Sequence, residues 1–111
     1  MWLWIDDVRP KPVTYQLWAK NALEAICMIG EYDITHISFD HDLGYGNKNK
    51  TGYDVACYIE ALAEAESNLK KHNVEYVKVP HPTWEIHSRN PVGRKRIEQA
   101  MKSAERYWNS E

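Results

Sequence analysis

The stretch Ile34-Thr35-His36-Ile37-Ser38-Phe39, followed at once by Asp40-His41-Asp42, decides how this chain folds. A largely apolar run of strand length breaks into a polar triplet. Two other segments repeat the pattern: Trp2–Ile5 ends in Asp6-Asp7, and residues 84–86 end in His87-Ser88. Short apolar runs set between helical periodicities mark strands buried in a parallel sheet. In such a sheet the carboxyl ends of neighbouring strands lie side by side, so the three polar runs are expected to meet in one crevice. Four carboxylates and two imidazoles would repel one another there unless a cation or shared protons held them together. That juxtaposition reads as a site.

Around these strands the order of elements is regular. Residues 1–5 read as a strand buried on both faces, and Pro10 and Pro12 forbid regular structure up to about Val13. Residues 14–19 alternate weakly and are expected to form a second strand. Asn21 caps a helix with Glu24 at its third position; Leu23, Ile26 and Cys27 form its inward stripe, and Gly30 ends it. Residues 43–50, with two glycines, two asparagines and two lysines, read as a mobile loop over the strand ends. Thr51 and Asp54 make an acidic capping box for a long helix with Val55, Tyr58, Ile59 and Leu62 inside, ending near Lys70-Lys71-His72. Residues 76–79 add a short extended piece before Pro80 and Pro82. After the last strand, 83–87, Asn90-Pro91 starts a helix with Ile97, Ala100, Met101, Ala104 and Trp108 at helical spacing.

This alternation predicts an α/β three-layer sandwich with a mostly parallel sheet of about four strands. The link from the first strand to the second, about eight residues with two prolines, is short for a crossover helix. The 111 residues suit one domain, 1–111, without repeats or linkers. A 43% hydrophobic and 27% charged composition is that of an ordinary soluble globular protein. A formal net charge of −2 gives no reason to expect binding of bulk nucleic acid. No segment approaches the roughly 20 apolar residues that span a bilayer, and the acidic pair at 6 and 7 interrupts any leader-like run. The expected location is cytoplasmic, or a host cytoplasm for a phage gene. Cys27 and Cys57 read as small buried apolar side chains in a reducing compartment. Trp2, Trp4 and Trp18 read as core or pocket wall, with stacking of one of them on a base or sugar as the alternative; His36 and His72 read as structural or solvated, and His81 as surface.

The acidic cluster carries the chemistry. A single aspartate at a strand end is ordinarily a cap or a turn residue, but two pairs at adjacent strand ends suit Mg²⁺ or Mn²⁺. His41 and His87 are further ligands or a general acid and base. The run Ser88-Arg89-Asn90-Pro91-Val92-Gly93-Arg94-Lys95-Arg96 puts cations at a helix start, against the macrodipole. The bland explanation is a solvated basic patch. The sharper one is a phosphate held by Ser88, Arg89, Asn90, Arg94 and the free N–H groups, with Gly93 allowing close approach. A Ser-His-Asp triad through Ser88 lacks the G-x-S-x-G elbow.

The runs Trp4-Ile5-Asp6-Asp7-Val8-Arg9-Pro10, Ser38-Phe39-Asp40-His41-Asp42-Leu43-Gly44, Thr51-Gly52-Tyr53-Asp54 and His87-Ser88-Arg89-Asn90-Pro91-Val92-Gly93 resemble the cyclic-phosphate processing receiver-like domain. This is a small bacterial and phage family related to the receiver domains of response regulators. The likeness runs over nearly the whole chain in the same order, and implies a truncated receiver-like (flavodoxin-like) fold. It also implies processing of RNA 2′,3′-cyclic phosphate ends or cyclic nucleotides. By the receiver pattern Asp6, Asp7 and Asp40 hold Mg²⁺, Asp40 is the phosphoryl acceptor, and Ser88 senses the phosphoryl group. The chain departs from receivers in having no fifth strand with its lysine, and in adding His41 and His87. Both departures favour hydrolysis over a phosphorylation switch. The expected activity is a metal-dependent phosphoesterase in which Asp42 is a further ligand or base, His41 or His87 moves protons, and Arg9, Ser88, Arg89 and Arg94 neutralise charge. The rivals are a non-catalytic nucleotide sponge and a degenerate receiver serving protein interaction.

Overall fold

The computed structural model describes residues 1–43 and 50–110. Within them the chain runs β1 (Trp2–Ile5), β2 (Leu17–Ala19), α1 (Ala22–Glu31), β3 (His36–Phe39), α2 (Gly52–Lys71), β4 (Thr83–Ile86) and α3 (Pro91–Trp108). The strands form one parallel sheet in the order β2-β1-β3-β4. This is an α/β receiver-like fold.

Register explains where the core sits. Leu3 lies beside Leu17 and Ile37, and one pleat further Ile5 lies beside Ala19 and Phe39. These side chains share one face, because successive strand residues point to opposite sides. They bury against Ala22 and Ala25 of α1, Val55 and Ile59 of α2, and Ile97 and Met101 of α3. The alternate residues Trp2, Trp4, His36, Ser38, Thr83 and Glu85 therefore line the other face.

Among the described residues all three helices pack on one face, so the layers number two where the sequence suggested three. The cause is the link between β1 and β2. Residues 6–16 contain no helix, and Tyr15 from that link covers the second face with its buried ring. It meets Trp2 and Trp4 edge-on, with ring centroids 5.4 and 5.3 Å apart. Its hydroxyl donates to Glu85 Oε1 at 2.6 Å.

The caps are those the sequence implied. Asn21 accepts from Glu24 N at 2.8 Å, Thr51 and Asp54 form a reciprocal capping box, and Asn90 accepts from Gly93 N at 3.0 Å with Pro91 at the helix start. Other details differ. Trp2 is 41% exposed, so β1 is not buried on both faces. Leu23 and Leu62 point outward at 56% and 40% exposure, because the small residues Ala22, Ala25, Ala56 and Ala63 take the inward positions. Cys27 is exposed and Cys57 half-buried, contrary to the core role expected of them. α1 runs one residue beyond Gly30. Residues 76–79 pair with no strand. The loop expected at 43–50 lies, for residues 44–49, outside the described residues. No helix among those described is long and apolar enough to cross a membrane.

Candidate functional site at the carboxyl edge of the sheet

The ladders continue past the strand ends. Asp6 N donates to Ala19 O at 3.1 Å, Asp40 N to Ile5 O at 2.9 Å, and His87 N to Phe39 O at 2.9 Å. These bonds set Asp6, Asp40 and His87 on one rung. By alternation their side chains continue the helix-free face, in line with Trp4, Ser38 and Glu85. One donor atom from each lies within 4.8 Å of the others. Asp6 is 1% exposed and Asp40 9%.

His87 is fixed on three sides. Its Nε2 is 2.9 Å from Asp6 Oδ2, its Nδ1 is 2.7 Å from Ser38 Oγ, and its ring stacks on Trp4 at 3.9 Å and 2°. The Asp6 carboxylate accepts this bond, with His87 Nε2–H as the donor. Asp6 also does the work of a turn residue, since its Oδ1 accepts from Val8 N at 2.8 Å and Arg9 N at 2.7 Å. Only Oδ2 faces the cluster. Arg9 Nε lies 4.0 Å from that oxygen, while its Nη1 donates to His87 O at 2.8 Å. The first loop is thereby tied to the end of β4.

Burial, and then the neighbouring Asp6 carboxylate, hold the Asp40 carboxyl above the usual carboxylate range; the Ser88 hydroxyl, His87 and the His41 N–H oppose the shift. Two buried acids this close disfavour joint ionisation. A divalent cation would relieve that cost, and the two carboxylates are oxygen donors of the kind Mg²⁺ or Mn²⁺ takes; His87 Nε2, committed to Asp6, is not free to ligate in this arrangement. Asp7, half-buried on the same turn, lies outside this close-set trio.

A second pair flanks the trio. His41 Nδ1 is 2.9 Å from Asp42 Oδ1, and Asn90 Nδ2 approaches the same oxygen at 3.4 Å. The hydrogen bond from His41, with a smaller contribution from Asn90, holds the Asp42 carboxyl below its usual range despite some burial. The His41 ring rests on Gly93, where a Cβ would come within 2.2 Å of its Cγ. Gly93 thus does permit a close approach, but by a protein side chain.

The basic helix start is reorganised relative to the sequence expectation. Ser88 is buried and bonds Asp40, as an anion-facing hydroxyl should. Arg94 points back along the sheet edge, its Nη1 donating to Ile86 O at 2.9 Å and Ser88 O at 3.1 Å. Arg89 is exposed at the rim. The guanidinium nearest the carboxylates is that of Arg9. Ser38 is not among the residues the sequence marks as a site, and Trp4 is there only as core or pocket wall, yet His36, Ser38 and Asp40 alternate as polar residues within an apolar strand, a signal of one polar sheet face.

A parallel α/β sheet gathering two buried aspartates, a serine and a basic side chain at its carboxyl edge defines a receiver-like domain. Its sequence belongs to the cyclic-phosphate processing receiver domain family, whose profile matches residues 1–103. No curated protein and no solved structure matches the chain.

Proposed function

We propose that the protein is a metal-dependent phosphoesterase that opens a cyclic phosphate, either an RNA 2′,3′-cyclic phosphate end or a cyclic nucleotide. One observation carries the reading: the donor atoms of Asp6, Asp40 and His87 converge within 4.8 Å beside Arg9 and Ser88. Asp6 and Asp40, with Asp7 on the adjoining turn, are the residues to hold Mg²⁺ or Mn²⁺. When bound, the cation supplies Lewis-acid polarisation of a phosphoryl oxygen.

The protein's own groups account for the rest. Ring opening forms one P–O bond to water and breaks one P–O bond of the ring, so one proton must leave the water and one must reach the departing oxygen. The paired imidazoles suit this exchange. Asp42, held ionised, orients His41 as the base, and His87, in its protonated form, is the acid: its Nε2–H passes from Asp6 to the leaving oxygen while Nδ1 stays with Ser38 and the ring stays stacked on Trp4. Arg9 and Ser88 meet the charge that develops on phosphorus, and the exposed Arg89 and the cap residue Asn90 are assigned to the rest of the substrate.

The test is turnover of a panel of cyclic phosphates by catalytic amounts of protein, with Mg²⁺ or Mn²⁺ and with EDTA. Metal-dependent ring opening is the expected result, together with a rise in melting temperature on adding millimolar metal. Unmoved melting curves with both metals, and no turnover, would remove this reading. Stoichiometric binding of a cyclic nucleotide without turnover would favour the sponge, and binding of neither metal nor nucleotide the interaction domain.

A further inference from the structure

Along the carboxyl edge the trio occupies the ends of β1, β3 and β4, and the end of β2 is left to two other residues. Trp18 pairs with Trp4 in register and so lies on the same helix-free face. Its indole Nε1 donates to the Asp6 carbonyl at 2.7 Å, which leans the ring toward the edge and fixes its plane. Lys20 Nζ sits 4.6 Å from the centre of that ring. The ring is half-buried, held by the backbone of the very residue at the heart of the site, with a cation over it.

We propose that Trp18 is the platform on which the substrate's nucleobase stacks, with Lys20 as its cationic flank. The inference rests on the phosphoesterase reading and adds a specificity-determining residue to it. Spacing supports the assignment. Adjacent strands lie about 5 Å apart, so a base over the end of β2 and a phosphate between the ends of β1 and β3 are separated by roughly one to two strand spacings. That interval is compatible with a nucleoside whose phosphate is on the ribose 2′ and 3′ oxygens. The other site-side indole cannot take this role, because Trp4 is buried and already stacked on His87. An aromatic face gives affinity without regard to base identity, so the platform selects a nucleoside over a base-free sugar phosphate rather than one base over another.

The experiment uses three product ligands, two with a base and one without. Adenosine 3′-monophosphate and uridine 3′-monophosphate are compared by calorimetry with methyl riboside 3-phosphate, which lacks a base, on wild type, Trp18→Ala, Trp18→Phe and Lys20→Ala. The expected result is tighter binding of both nucleotides than of the riboside by wild type. Trp18→Ala should weaken the nucleotides by about tenfold and leave the riboside within about twofold. Trp18→Phe should retain most of the nucleotide affinity, and Lys20→Ala should fall between. If wild type binds nucleotide and riboside equally, or binds neither, or if Trp18→Ala weakens all three ligands alike, the platform is overturned. Turnover of the matching cyclic phosphates separates the two claims. Metal-dependent opening of the base-free ring with no effect at Trp18 leaves the phosphoesterase and removes the platform. Selective nucleotide binding without any turnover keeps the platform and removes the phosphoesterase. Folding of Trp18→Ala is checked by its melting curve; if it does not fold, Trp18→Leu takes its place, expected to weaken both nucleotides and spare the riboside, and equal binding of nucleotides by Trp18→Leu and wild type overturns the platform.

Discussion

Gly93, in the opening turn of α3, and His41, just past β3, are packed so closely that a methyl group at position 93 would come 2.2 Å from His41 Cγ and 2.5 Å from Cδ2. The two are far apart in sequence, yet the absence of one side chain sets where the other ring lies. That ring in turn meets Asp42 and Asn90. Gly93→Ala is therefore expected to push His41 aside rather than to disturb the helix, which alanine favours. Overpacking costs typically about 1–3 kcal/mol, and the loss of activity should exceed what the fall in melting temperature explains. Unchanged turnover in a folded Gly93→Ala protein would separate His41 from the chemistry.

Asp40 gives a prediction with a defined sign. Its folded-state carboxyl titrates above the normal range, through burial and then Asp6. The folded state therefore holds the proton more tightly than the unfolded chain. The associated stability is fully present below the unfolded value of about 3.9 and is lost as pH rises through the raised folded value. At neutral pH the metal-free protein carries the cost of the ionised group. Asp40→Asn should leave stability at pH 7 equal or higher, lose the gain from Mg²⁺, and abolish turnover. Melting curves with and without metal check all three; a clearly destabilised Asp40→Asn that still turns over substrate would refute the role.

Arg94 is expected to behave as a structural residue. Two carbonyls at the outer edge of β4, those of Ile86 and Ser88, are satisfied by its guanidinium. β4 is an edge strand, and edge carbonyls left open invite pairing with another chain. Arg94→Ala should cost about 1–2 kcal/mol and increase self-association on concentration, whereas Arg9→Ala should mainly lower activity. Chemical denaturation and light scattering distinguish the two. An Arg94→Ala protein of unchanged stability with weakened substrate binding would instead return Arg94 to the anion site.

Tyr15 supplies an alkaline marker for the covered sheet face. Burial, followed by the hydrogen bond to Glu85, pushes its hydroxyl up to about 12. Its stabilising share is fully present below the unfolded value of about 10 and disappears as pH rises through 12. A spectrophotometric titration should show a late tyrosinate step that Tyr15→Phe removes. If the substitution leaves the titration curve unchanged above pH 11, Tyr15 is not held as described.

Much of this was legible in the residues. Each polar run after a short apolar strand marked a real strand end, and the cap signals at Asn21, Thr51 with Asp54, and Asn90-Pro91 each opened a helix, because capping chemistry is local. The meeting of Asp6, Asp40 and His87 followed from parallel strand order alone. The alternation of His36, Ser38 and Asp40 contained the two-layer answer as well, but the hydrophobicity of Trp2 and Trp4 hid it, since an indole reads as core whether or not a helix covers it.

Sequence by itself determined the strands, the helix starts and the set of acids and imidazoles, because these depend on neighbours a few residues away. Only the tertiary structure decided which groups touch. Arg9 rather than Arg94 stands beside the carboxylates, His87 is held by Ser38 and Trp4, and Gly93 seats His41. The physical reason is that a side chain's partner across a sheet or at a helix start is set by register and by the space left when the core closes. Neither quantity is carried by any short run of residues.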